Sequence, residues 1–254
     1  MDNKTYKLLV GAIVVSLLAI ITVIVVVVTL NSPSSNNNAS PNASPSETST
    51  LTFSADPDTP WNKNMVLGNF DKTKNHFVEY SDPMCGYCGK FSLALIHNNA
   101  ELHSKYIDNN KMSLEVRLTD MLQQEEKDNS KRAAEYAYCA ADQNKFHDYY
   151  DAFMNQMDKD YFSRGIGAYH GAPEIPHLED SYYDAVAQNS GVDQAKLSSC
   201  LSSGQGESAV LKATMSARKT ATSGLPSFVF NSFTTSGFNG DWATIEKMFS
   251  AGGI

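Results

Sequence analysis

No basic residue lies between Lys7 and Lys63, and the stretch from Leu8 to Leu30 runs 23 residues without any charge. As a helix that stretch would extend roughly 35 Å, enough to cross a bilayer. A cleaved leader is the alternative reading, but its apolar core is normally about 7 to 15 residues and a small-residue cleavage site follows it. No A-x-A site follows here, and no cysteine lies near for lipid attachment. The expectation is a permanent single-pass anchor over 8–30. Lys4 and Lys7 ahead of it keep residues 1–7 cytoplasmic and send the remainder outside.

Aromatic residues and large aliphatic ones are missing from residue 31 to about 50, which is almost entirely Ser, Asn, Pro, Ala and Thr. Such a composition buries too little apolar surface to fold. It reads as a flexible linker, taken here as 31–64, and the Asn38 and Asn42 sequons in it are triplets that low complexity produces by chance. Positive charge is scarce overall. Setting aside Asp2, Lys4 and Lys7 leaves 18 basic and 27 acidic residues, a net charge of -9. That balance argues against nucleic acid as a partner.

The folded part, 65–254, opens with a strand signal at His76-Phe77-Val78-Glu79-Tyr80, closed by Ser81-Asp82-Pro83. Cys85-Gly86-Tyr87-Cys88 follows and begins a helix in which Cys88, Phe91 and Leu95 share a face. Leu114 to Leu118 alternates as a second strand. Helical spacing then dominates an insertion at about 129–218, including Ala133 to Ala141, the series Tyr150, Phe153, Met154, Met157, and the trio Leu197, Cys200, Leu201. Strand character returns at Ser227-Phe228-Val229-Phe230, followed by an extended stretch to Phe238 and a last helix with Trp242, Ile245, Met248 and Phe249. The order predicts an α/β fold, a mixed sheet flanked by helices, with a helical subdomain inserted between its halves.

Cysteine is sparse: four residues, with one CxxC pair and no second one. A cysteine at a helix N-terminus faces unsatisfied N–H groups and the positive end of the dipole, which favour thiolate over thiol. Cys85 is placed to be the nucleophile, and Cys88, one turn in, to be the buried resolving thiol. Half of a zinc site and a purely structural disulfide are the competing readings. Zinc needs two further ligands, which the isolated Cys139 and Cys200 do not supply by spacing. The six histidines, at 76, 97, 103, 147, 170 and 177, show neither metal spacing nor triad order. No metal and no cofactor beyond the cysteine pair is expected. Cys139 and Cys200 lie 61 positions apart, each in a predicted helix. In an oxidising compartment a bond between them would stabilise the subdomain by about 4 kcal/mol on the loop-entropy model, the alternative being two free core thiols.

The segment Val78-Glu79-Tyr80-Ser81-Asp82-Pro83-Met84-Cys85-Gly86-Tyr87-Cys88-Gly89-Lys90-Phe91 resembles the active-site segment of the DsbA-like thioredoxin-fold family. Ser223-Gly224-Leu225-Pro226-Ser227-Phe228-Val229-Phe230-Asn231 is similar to that family's second hallmark, and the likeness extends over nearly all of Met65 to Ser250. The resemblance implies a thioredoxin fold, a cis bond between Leu225 and Pro226 lying against the CxxC, and a strand-like edge there that pairs with an extended substrate. Leu225, Pro226, Gly86 and Tyr87 would then contact substrate. It further implies that Glu79 is a buried acid assisting proton transfer from the resolving thiol, whereas the strand pattern alone also allows a solvated residue. Gly86-Tyr87 departs from the family's strongest oxidants by supplying no imidazole between the cysteines.

Three functions follow as expectations. The first is a thiol-disulfide oxidoreductase that passes its Cys85-Cys88 disulfide to exported polypeptides and is reset by a membrane redox partner. The second reverses the electron flow, as a reductase or isomerase. The third is a tethered chaperone or binding module whose cysteines form only a structural disulfide. Because 30 mV in a two-electron couple is only about 1.4 kcal/mol, the direction of flow is set by small local interactions.

Overall fold

A computed structural model of the chain describes residues 61–93, 99–122, 127–220, 224–230, 233–237 and 241–254. The expected anchor over 8–30, the linker up to 60 and Leu95 lie outside the described residues. Among the described residues no helix is long and apolar enough to cross a membrane.

Among the described residues five strands form one sheet in the order β1-β3-β2-β4-β5. They are β1 (Val66–Leu67), β2 (His76–Ser81), β3 (Ser113–Leu118), β4 (Ser227–Phe230) and β5 (Phe233–Ser236). β2 runs parallel to β3 and antiparallel to β4, and the edge pairings of β1 with β3 and β5 with β4 are antiparallel. The two-residue β1 is too short to leave a periodic pattern in the sequence. The helices are α1 (Gly86–Phe91), α2 (Ala100–Leu102), α3 (Asn129–Ala141), α4 (Phe146–Asp160), α5 (Asp180–Asn189), α6 (Gln194–Ser202), α7 (Gln205–Lys219) and α8 (Trp242–Ala251). α3 to α7 all fall between β3 and β4, so the chain leaves the sheet, builds a helical subdomain and returns to it.

Alternation along β2 sends Phe77, Glu79 and Ser81 to one face and Val78 and Tyr80 to the other. On the first face Phe77 meets Phe228, Phe230 and Phe249 at centroid distances of 5.4, 5.9 and 5.4 Å, while Phe91 of α1 lies 4.7 Å from Phe228. On the second face Val78, Tyr80 and Val229 pack against Ala217 of α7, and the Tyr80 hydroxyl bonds the Ser216 hydroxyl at 2.6 Å. With both faces covered, β2 is buried along nearly its whole length.

β3 alternates apolar and polar residues, yet all six of its residues are buried. The polar face is sealed by an ion pair, Arg117 to Glu115 at 2.8 Å, over which Trp61 lies with its ring centroid 5.2 Å from the guanidinium. The Asn62 backbone N–H donates to Glu115 Oε1 at 2.9 Å, and the Asn64 amide donates to the Ala141 carbonyl at 2.9 Å. Residues 61–64, assigned by composition to the linker, are therefore built into the fold. Glu115 lies 53 positions on from Asn62, so nothing local marked this segment as the cover of a buried ion pair.

Candidate active site

The turn Asp82-Pro83-Met84-Cys85 carries the chain from the end of β2 into α1. Pro83 supplies the fixed φ of a turn, and the Cys85 N–H donates back to the Asp82 carbonyl at 2.9 Å. The Asp82 carboxylate accepts from the Met84 N–H at 2.9 Å, the Leu122 N–H at 2.8 Å and the Ser130 hydroxyl at 2.8 Å. One buried carboxylate thus ties the active-site turn to the loop after β3 and to the start of α3. Burial still raises Asp82 to about 6, against the three hydrogen bonds that favour its charge. Sequence reasoning saw only an Asp-Pro turn here. The partners of Asp82 lie about 40 and 48 residues away, so nothing local revealed its structural role.

Cys85 caps the N-terminus of α1, and the Cys88 N–H donates to its Sγ at 3.3 Å. Both thiols are free. Cys85 is 6% exposed, whereas Cys88 is fully enclosed on the face of α1 turned to the core. Burial pushes the Cys88 thiol well above its ordinary value, and the hydrogen bond and charge of Cys85, then the charge of Glu79, push it the same way. The Leu225–Pro226 peptide is cis, and the Cys85 thiol donates to the Leu225 carbonyl at 3.8 Å. Sites separated by 140 positions in the chain meet at one sulfur.

Glu79 lies on the sheet face covered by α1 and α4 and is completely buried, which sets aside the solvated reading. Burial raises it to about 8, Ser81 works in the opposite direction and the charge of Cys85 adds to the rise. In this arrangement the Ser81 hydroxyl is engaged with the Tyr150 hydroxyl at 2.9 Å. Neither Glu79 oxygen has a hydrogen bond of regular geometry among the described residues.

Gly86 and Tyr87 separate in role. A Cβ on Gly86 would stand 2.6 Å from the Ala168 Cα and 2.7 Å from its carbonyl oxygen, so only glycine lets the segment after α4 lie over the start of α1. Tyr87 is 41% exposed and carries the Lys90 ammonium 5.5 Å above its ring. A cleft of about 530 Å³ opens beside Cys85. Tyr87, Leu122 and Tyr169 line it and are exposed, with Met84, Ile175 and Leu225 deeper in the wall. Leu122 and Tyr169 come from separate loops, so their part in the cleft left no signal in the sequence.

Cys139 of α3 and Cys200 of α6 are joined in a disulfide with Cα atoms 5.7 Å apart. Among the described residues no group of three or more His, Cys, Asp and Glu is arranged to hold a metal ion.

A family model described as thioredoxin matches residues 61–243. A protein of Rickettsia typhi, provisionally named a protein-disulfide oxidoreductase, is 28% identical over 195 residues. The match covers 76% of this chain but only 62% of that relative, so the chain spans less than two thirds of its length. Among solved structures, oxidised BdbD from Bacillus subtilis superimposes with a TM-score of 0.58 at 17% identity, covering 76% of this chain and 95% of that one. Alpha-DsbA1 from Wolbachia pipientis superimposes with a TM-score of 0.56 at 15% identity, covering 76% and 92%. The match across 61–243, the sheet order and the CxxC at the head of α1 agree: the chain belongs to the thioredoxin family and has the fold of the DsbA-like proteins.

Proposed function

We propose that this protein is a membrane-tethered, extracytoplasmic thiol-disulfide oxidoreductase that exchanges the Cys85-Cys88 disulfide with exported polypeptides, acting as a dithiol oxidase. The observation that carries the reading is the Cys85 sulfur at the head of α1, beside an open apolar cleft and against the Leu225 carbonyl, with its partner thiol sealed behind it. A structural disulfide has no need of a cleft at one sulfur.

In the oxidising direction a substrate thiolate attacks Cys85 Sγ, the Cys85–Cys88 bond breaks, and its electron pair stays on Cys88. That sulfur is buried where charge is costly, so it must be protonated, and the neighbouring Glu79, raised to about 8, still holds a proton at neutral pH. A second substrate thiolate attacks the substrate sulfur of the mixed disulfide. The substrate leaves oxidised, and Cys85 and Cys88 are left reduced. Tyr87, Leu122 and Tyr169 would hold an extended chain by its apolar side chains while the Leu225 and Pro226 edge meets its backbone. No metal or organic cofactor enters these steps. The apolar run over 8–30 would hold the domain outside the membrane beside a membrane redox partner that reoxidises the pair.

A second reading, reductase or isomerase, is favoured by one observation: Gly86-Tyr87 offers no imidazole to hold a thiolate at Cys85. The experiment that tests exchange itself uses the full chain and a reduced, unfolded protein. Oxidised wild type should oxidise it, Cys85→Ser should lose all exchange, and Cys88→Ala should oxidise none of it yet, given an oxidised protein, should attack its disulfide through Cys85, release one thiol and accumulate the mixed disulfide. A Cys85→Ser variant as active as wild type would end the reading.

A further inference from the structure

Tyr150 reaches the active site from α4, and no step described so far uses it. Its ring is buried and its hydroxyl stands 2.9 Å from that of Ser81, the residue two positions after Glu79 on the same sheet face. The titratable groups that act on one another here are Cys85 and Cys88 from α1, Glu79 from β2 and Tyr150 from α4. We propose that the Ser81–Tyr150 hydroxyl pair is a positioning device for the proton-transfer step, directing the Ser81 hydroxyl proton toward Glu79 when that carboxyl is ionised and away from it when it is protonated.

Each hydroxyl has one proton to give. When Ser81 donates to the Tyr150 oxygen, nothing on β2 serves the Glu79 oxygens, which suits a protonated carboxyl. When Tyr150 donates to the Ser81 oxygen, the Ser81 proton is released toward Glu79, which suits a carboxylate that would otherwise be buried without a partner. Reversing the pair moves no heavy atom. It accompanies each passage of a proton between Glu79 and the Cys88 sulfur, given when that sulfur leaves Cys85 and taken back when Cys88 attacks.

The inference rests on the thiol-exchange reading, and its test separates the two. The full chain, charged with glutathione as a mixed disulfide on Cys85, is followed as Cys88 displaces the glutathione across pH 5 to 10. Displacement needs the Cys88 proton to pass to an ionised Glu79, so the rate should carry an inflection from that group. Tyr150→Phe keeps the ring but should move the inflection up by about half a pH unit, slowing release about threefold at pH 7. Ser81→Ala should move it further in the same direction, while Tyr149→Phe, which removes another buried hydroxyl of α4, should leave it in place. A Tyr150→Phe profile that matches wild type, while Glu79→Gln removes the inflection, would overturn the positioning role and leave the exchange reading intact. Wild type that releases no glutathione at any pH would overturn both.

Discussion

At Glu79 the exchange chemistry and the stability of the fold pull in opposite directions. A carboxyl raised from its ordinary 4.5 to about 8 binds a proton more tightly folded than unfolded. The folded state is therefore favoured most below pH 4.5, and that advantage is lost as pH rises to about 8. Asp82, raised from 3.8 to about 6, contributes the same sign over a lower window. We expect the thermal midpoint to fall between pH 5 and 8, and Glu79→Gln to flatten that fall and gain on the order of a few kcal/mol over wild type at pH 8. Denaturant unfolding of both proteins at pH 5 and 8 checks this, and equal slopes would contradict it. Gly86→Ala should strike the Ala168 backbone, costing about 1–3 kcal/mol as the segment over α1 shifts. The same unfolding measurement reads that loss. Of the residues proposed to do the chemistry, Cys85 and Cys88 stand in a local pattern, the CxxC, whereas Leu225, Pro226 and the buried Glu79 were singled out only by the family resemblance. The roles of Asp82, Ser81 and Tyr150 were legible in neither way, since their partners are distant in the chain.

Among the elements, β2, α1 and β4 were legible from pattern and from a likeness to known motifs. β3 was legible as a strand from its alternation, but the closing of its polar face by Trp61 and the Arg117–Glu115 pair was not. Alternation reports which side chains are polar, and it cannot report that a distant segment covers them. Removing one partner of this pair leaves a buried charge, so Glu115→Ala should destabilise by about 3–5 kcal/mol, measured by urea unfolding. In the helical subdomain the Cys139–Cys200 disulfide links α3 to α6 across 61 positions. A Cys139→Ala, Cys200→Ala double variant should lose about 2–4 kcal/mol of stability while keeping thiol exchange at Cys85. Loss of exchange in a folded double variant would show that the second disulfide serves more than stability.

For the whole molecule, the sheet supplies a rigid frame in which β2 and β4 present Cys85 and Leu225 to each other, and the segment 167–175 between α4 and α5 closes one side of the frame into a cleft. Most of the chemistry then depends on which redox state of the Cys85-Cys88 pair that frame prefers. The measurement that tests this most directly is the equilibrium of the pair in the full chain against defined glutathione mixtures, with Cys139 and Cys200 followed separately by mass. An oxidase should equilibrate at about -120 to -180 mV through a mixed disulfide on Cys85, whereas a value near about -270 mV would reverse the direction of flow. A Cys85-Cys88 pair that never exchanges with glutathione would contradict the account at its centre.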